Sequence, residues 1–313
     1  MNEKTISFLI PCYNEEENIK DVYAALKEKA ESSLAQYHYE IVFIDNKSTD
    51  RTREYIRDIC AADKNVRAVF NCANFGQFNS PYYGILQCRG DCVILFSADF
   101  QDPVDCIPGM VSEWEKGHKV IAMVKKTSRE NKLMYFIRSC YYRLLNMMSE
   151  AKVIEHFTGF GLYDRSFVEI LRQLDDCSPF LRCIVAEYAP DHIEIPYEQQ
   201  KRRAGKTHND FNSLYDAAML SFTNHTKTIL RSFVFIGGAL CLLCMIALIA
   251  ILLFGIKSDT VFNTVYLLMF DGLFFVGGLF FIALGFTGEY IMNINRRTIN
   301  RPLVIEEERI NWD

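Results

Sequence analysis

The stretch "SFVFIGGALCLLCMIALIAILLF", residues 232–254, carries no charge. It is longer than the roughly 20 residues a helix needs to cross a bilayer. A helix that is apolar on every side over such a length has no soluble partner large enough to bury it. A second apolar stretch, "VYLLMFDGLFFVGGLFFIALGFTGEYIMNI" (265–294), follows the short link "GIKSDTVFNT". Asp271 lies near its start, where an acid costs less than at mid-bilayer. Together the two stretches predict a transmembrane helical hairpin over 232–294. Lys227 and Arg231 precede it and Arg296, Arg297 and Arg301 follow it, whereas the link holds only Lys257. The positive-inside bias then puts both ends of the hairpin, and with them both termini, in the cytoplasm of an inner-membrane, multi-pass protein.

The front of the chain reads differently. "ISFLI" (6–10) runs into "PCYNEEEN", "IVFI" (41–44) into "DNKSTDRT", and "CVILF" (92–96) into "SADFQDP". Each is a continuous apolar run of the kind found in parallel strands buried on both faces. Helical patterns separate them, "EEENIKDVYAALKEKAESSL" and "STDRTREYIRDICAAD", the second with Ser48 or Asp50 as a candidate N-cap. Strand–helix–strand alternation predicts an α/β domain with a parallel sheet. Ligands of such sheets sit beyond the carboxyl ends of the strands, where all three polar clusters fall. The opening "MNEKTISFLIPCYNEEEN" has no long apolar core before a cleavage site and reads as the first strand, not a signal peptide. The net charge of −5 gives no reason to expect nucleic acid as a partner. The 11 cysteines have no paired spacing suited to a disulfide scaffold and read as free thiols. Cys241 and Cys244 lie in an apolar run without a second ligand pair.

No G-x-G-x-x-G follows a strand, and "RRAGKTH" lacks the first glycine of a P-loop, since Gln200 stands in its place. Without a glycine cradle a diphosphate needs another counter-charge. Asp99, in a turn after the third run, can hold Mg²⁺ or Mn²⁺ bridging a carboxylate to phosphate oxygens. Asp45, at the next strand end, could accept from a base N–H.

In this order the motifs "IPCYNEEENI", "IVFIDNKSTDRT", "NFGQ" (74–77), "ADFQDP", "RRAGKTH" and "GEYI" (288–291) resemble the membrane-anchored polyprenyl-phosphate glycosyltransferases of family two, with the GT-A fold. Bacterial undecaprenyl-phosphate glucosyltransferases and dolichyl-phosphate mannose synthases are well-known members. The resemblance implies that Pro11, Tyr13, Asn14, Glu15 and Asp45 contact the nucleoside and that Asp99 and Gln101 hold the metal and diphosphate. It also implies that Arg202 and Lys206 belong to a basic loop closing over phosphates. It implies an inverting transfer from a nucleotide sugar, on bacterial analogy a UDP-sugar, to a polyprenyl phosphate, and a homotetramer. The chain departs from the family at three places: Ser97 replaces the first acid of D-x-D-x-Q, Asn46-Lys47 replaces the second and third residues of D-D-G-S, and Phe160 stands where some members have a proposed base.

A polyprenyl phosphate is largely dianionic at pH 7, so its oxygen is already a nucleophile and a base is dispensable. If one is used, Asp102 is the candidate, with Asp99 the other catalytic carboxylate; the competing role for Asp102 is to cap the following helix. The acceptor phosphate needs cations near the bilayer. "KKTSRENKLMYFIRSCYYRLLNMM" (125–148) offers Arg129 and Arg138 among apolar residues and reads as an interfacial amphipathic helix. A second such helix is expected over 211–231, and 295–313 is expected as a cytoplasmic tail, leaving 1–210 as the catalytic domain. The rival reading is a non-catalytic sugar-nucleotide or lipid-phosphate binding protein, degenerate at Ser97 and Phe160.

Overall fold

Alternate residues of the apolar runs go to opposite faces of one sheet. Phe8, Ile10 and Phe43 enter one buried cluster, and Leu9, Val42 and Ile44 the other. In the computed structural model of the protein, the described residues are 4–126, 154–176, 179–200, 202–203 and 301–312, with residue 219 and scattered positions between 269 and 298. Eight strands are described: β1 (Thr5–Cys12), β2 (His38–Asp45), β3 (Val66–Asn71), β4 (Cys92–Leu95), β5 (Val120–Lys125), β6 (Phe157–Asp164), β7 (Ile193–Tyr197) and β8 (Glu306–Ile310). They form one sheet in the order β7-β5-β6-β4-β1-β2-β3-β8.

Helices cover both faces. Those on the first are α1 (Ile19–Ser33), α2 (Thr52–Ala62) and α4 (Ile107–Glu115). Those on the second are α3 (Gly76–Gln87), α5 (Arg165–Leu174) and α6 (Leu181–Tyr188). Each docks by a 3–4-spaced apolar stripe, as Ile19, Val22, Leu26 and Ala30 do in α1. α5 is capped by Asp164, which accepts the Ser166 N–H at 2.8 Å. α2 begins later than the sequence suggests: Arg51 holds its N-cap position, while Asp50 accepts the Thr52 N–H at 3.0 Å and Ser48 Oγ accepts from Asn14 N.

The sheet is mixed, not wholly parallel as expected. β6 runs against β4 and β5, and β8 runs against β3. The segment set apart as a tail therefore supplies the sheet's outermost strand. β3-β2-β1-β4 keeps the parallel order of a Rossmann half, with its switch point between β1 and β4. Among the described residues no helix is long and apolar enough to cross a membrane. The expected hairpin at 232–294, the helices expected at 130–149 and 211–231, and Cys241 and Cys244 fall outside the described residues, scattered positions apart.

Candidate functional site

β1 and β4 part at their carboxyl ends, and a cleft of about 870 Å³ opens there. One wall is the end of β1 and the turn after it, with Pro11, Tyr13 and Glu15. The floor is the turn after β4, from Ser97 to Asp102. The remaining wall comes from the start of α3, the start of β6 and the start of α6. The turn after β4 is sharp: Phe100 has φ +57° and packs under Arg203, whose guanidinium lies 4.3 Å from the ring centre. Left-handed backbone at a non-glycine residue persists only where its surroundings hold it, and such positions cluster at functional sites.

Asp99, Arg202 and Glu15 meet on the cleft. Arg202 donates through Nη2 to the Glu15 carboxylate, and its Nε lies 3.6 Å from Asp99 Oδ2. Asp99 Oδ1 accepts the Gln101 N–H at 3.2 Å. Burial pushes the Glu15 carboxyl above its ordinary range, although the Asn18 amide and Arg202 both pull it down. Two carboxylates thus share one guanidinium, so the described floor has negative charge in excess. A diphosphate would add to that excess unless a cation came with it. The donor types suit a hard divalent ion, since Asp99 offers a carboxylate and Gln101 an amide oxygen 2.9 Å from the Gln199 amide. No group of three or more His, Cys, Asp or Glu that could hold a metal ion occurs among the described residues. An ion here would draw most of its ligands from phosphate and water.

Asp102 is buried. Its oxygens accept from the Ser97 hydroxyl and, at 2.9 Å, from the Tyr197 hydroxyl, and burial pushes its carboxyl pKa up. It caps no helix: the short 3-10 turn Val104–Cys106 starts from Pro103, and α4 from Cys106, each without a side-chain cap. Ser97 is thereby turned toward Asp102. Phe160 is an edge-to-face link between Phe96 (5.8 Å) and Tyr197 (5.3 Å), so the residue in the place of the family's proposed base packs the cleft wall.

The expected nucleoside contacts divide. Pro11, Tyr13 and Glu15 line the cleft, whereas Asn14 and Asp45 stand behind it. Asn14 ties two loops together: its N–H donates to Ser48 Oγ and its Oδ1 accepts the Thr49 N–H at 2.8 Å. Asp45 is fully buried and accepts from Arg53 Nε and the Ser48 N–H. Asn46, its neighbour, faces the cleft instead. Asn46 donates to Asn74 Oδ1 at 2.8 Å and accepts the Phe75 N–H at 2.9 Å. Arg182, at the start of α6, also lines the cleft. A lone arginine after "SPFL" gives no sequence signal of such a role. Arg129, Arg138 and Lys206 lie outside the described residues.

The putative glycosyltransferase CsbB of Bacillus subtilis is 27% identical over 98% of this chain and 93% of its own length. The bactoprenol glucosyl transferase of Shigella phage SfX is 29% identical over 97% of this chain and 99% of its own. Mannosyl-3-phosphoglycerate synthase from Rubrobacter xylanophilus superposes with a TM-score of 0.48 at 16% identity, over 69% of this chain and 71% of that one. Residues 7–171, more than half of the 313, match the Glycosyl transferase family 2 profile; the chain belongs to that family and is a glycosyltransferase.

Proposed function

We propose that the chain moves a sugar from a nucleoside-diphosphate donor, a UDP-sugar, to a polyprenyl phosphate at the cytoplasmic face of the inner membrane, inverting the anomeric centre. The carrying observation is the Glu15–Arg202–Asp99 cluster at the β1/β4 switch point. It places a guanidinium and a carboxylate where a diphosphate would lie. Asp99 and Gln101 would hold Mg²⁺ or Mn²⁺, which when bound supplies charge neutralisation of the leaving diphosphate. Pro11 and Tyr13 form the wall for the nucleoside. Arg202 exchanges a contact with Glu15 for one with phosphate. Phe96 and Phe160 line the far wall, with Tyr197 packed behind Phe160, and keep water from the sugar carbon. The acceptor oxygen arrives ionised, and Arg182 is suited to receive its phosphate across the cleft from Asp99.

Several observations support the lipid acceptor. A relative similar over the whole chain is named a bactoprenol glucosyl transferase. Met269, Leu273, Val276, Phe280 and Leu284 are helical positions whose large apolar side chains are exposed at 3–4-residue spacing, as a lipid-facing stripe requires. β8 hydrogen-bonds to β3 in the sheet that also holds β7. The chain between β7 and β8 must therefore return to the side of the membrane it left, which an even number of crossings satisfies. The two spans expected from the sequence at 232–254 and 265–294 fit that requirement. The seven described cysteines are free thiols, in keeping with a reducing compartment.

The test is direct. Full-length protein in detergent is given undecaprenyl phosphate, Mn²⁺ and, in turn, UDP-glucose, UDP-N-acetylglucosamine and GDP-mannose. A lipid-linked sugar detected by mass spectrometry from a UDP donor is the expected result. Folded protein that makes none with any donor refutes the acceptor assignment.

A further inference from the structure

We propose that the C-terminal strand is a working part of the donor site: Glu307, acting through Arg53, holds the wall that receives the nucleoside. The inference rests on the donor reading above. Glu307 Oε2 accepts from Lys47 Nζ at 2.8 Å and from Arg53 Nη1 at 2.8 Å. Arg53 spends its other two nitrogens inward, Nε on the buried Asp45 carboxylate and Nη2 on the Asn71 carbonyl at 2.6 Å. Asn71 in turn donates to Asn46 Oδ1 at 3.2 Å and to Ser80 Oγ at 3.0 Å. Asn46 and Ser80 line the cleft, and Asp45 accepts the N–H of Ser48, whose Oγ accepts the N–H of Asn14 beside Tyr13 on the nucleoside wall. An unbroken chain of polar contacts thus runs from the last strand to the cleft wall.

An exposed ion pair is worth little for stability, but this one has a different task. The guanidinium is planar, and three partners on three sides fix its plane. Without Glu307 one side is open, and the fork that orients Asp45 and Asn71 can turn. Lys47 points the same way. It has φ +66°, a region that is strained for a non-glycine residue, and from there its amine reaches Glu307. These two cations draw the Glu307 carboxyl down to about 2, Lys47 contributing most, so the charge is present near neutral pH and substitution is the way to remove it there. Glu307 is a positioning residue, since it does not itself line the cleft.

The experiment compares Glu307→Gln with Glu308→Gln in the full chain in detergent. Glu308 pairs with Arg57 on the same strand and serves as the control. UDP and GDP binding with Mg²⁺ is measured by calorimetry, and donor KM and kcat by transfer. Glu307→Gln should weaken UDP by about tenfold, the size of one charge-assisted hydrogen bond. Donor KM should rise in step while kcat stays within about twofold, and Glu308→Gln should leave both within about twofold. UDP binding unchanged in Glu307→Gln, or weakened equally in both variants, overturns the inference and leaves the donor reading standing. Wild-type protein that binds neither UDP nor GDP overturns both.

Discussion

Replacing Asp102 by Asn keeps the shape of the side chain and removes its charge. The wild-type carboxylate is buried and receives two hydroxyl donors, Ser97 and Tyr197. Asn offers one carbonyl oxygen, so one hydroxyl keeps its acceptor and the other must rotate to accept from the amide. Two charge-assisted hydrogen bonds, each worth about 1.5–3 kcal/mol, are exchanged for two neutral ones worth about 0.5–1.5 kcal/mol each. Relief from burying an anion offsets this, and it is the same burial that raises the pKa of Asp102. The expected net change for Asp102→Asn is within about 1 kcal/mol. Asp102→Ala leaves both hydroxyls without the carboxylate, at about 1–3 kcal/mol each, and should cost about 2–6 kcal/mol in all. If the side chain only holds Ser97 and Tyr197 in place, Asp102→Asn should keep kcat within about tenfold of wild type, because loss of a general base costs about 10²–10⁴-fold. Thermal unfolding by intrinsic fluorescence and lipid-linked product formation, on both variants, give the two readouts. A kcat loss beyond about 10²-fold in Asp102→Asn, with unfolding unchanged, would make Asp102 the base and refute the reasoning.

Asp99→Ala should lower turnover by more than about 10²-fold while circular dichroism and melting stay near wild type; a near-normal rate removes Asp99 from the diphosphate site. Ser97→Asp, which the family pattern alone would expect to tighten metal binding, sets a second carboxylate against buried Asp102. It should destabilise by about 1–3 kcal/mol, and tighter Mn²⁺ binding without a fall in melting temperature would show that residue 97 faces the ion. Gly161→Ala puts a Cβ 2.3 Å from the Ile121 carbonyl oxygen, across the β5–β6 ladder. Backbone must move, and a loss of at least about 2 kcal/mol in denaturant unfolding is expected. At Asp63, burial raises the pKa but the Lys27 amine at 2.8 Å, the Asn65 N–H and the Tyr23 hydroxyl outweigh it, so the folded value lies below 3.8. The resulting stability is present above the unfolded pKa and lost as pH falls through the folded one. The advantage of wild type over Asp63→Asn should therefore be flat near neutrality and disappear in strong acid; an advantage that persists there refutes the assignment.

The strands that announce themselves in the sequence are those buried on both faces. β1, β2 and β4 are unbroken apolar runs because helices cover the sheet on each side. β3 is harder to see, since Arg67 interrupts "VRAVFN" to reach Glu40. β8 is invisible to hydrophobic patterning: "EEERI" pairs by charge, with Lys47, Arg53 and Arg57, rather than by burying apolar surface. The site follows a similar rule. Motif order brought Pro11, Tyr13, Glu15, Asp99, Gln101 and Arg202 to one cleft, because strand ends converge by topology. Spacing cannot say which of two neighbours faces the ligand, and at the end of β2 the cleft residue is Asn46 and not Asp45. Arg182 and Glu307 act across long separations in sequence, and no local pattern marks either.

Because β8 is made of residues 306–310, the outer edge of β3 stays bare while everything from β4 onward is being synthesised. Residues 306–310 must leave the ribosome before that edge can be closed and Arg53 given its outer partner. A nascent chain halted before residue 306 would carry an unfinished sheet and an Arg53 without its outer partner. Assembly order alone would thus delay competence until nearly all of the sheet's other strands have been made.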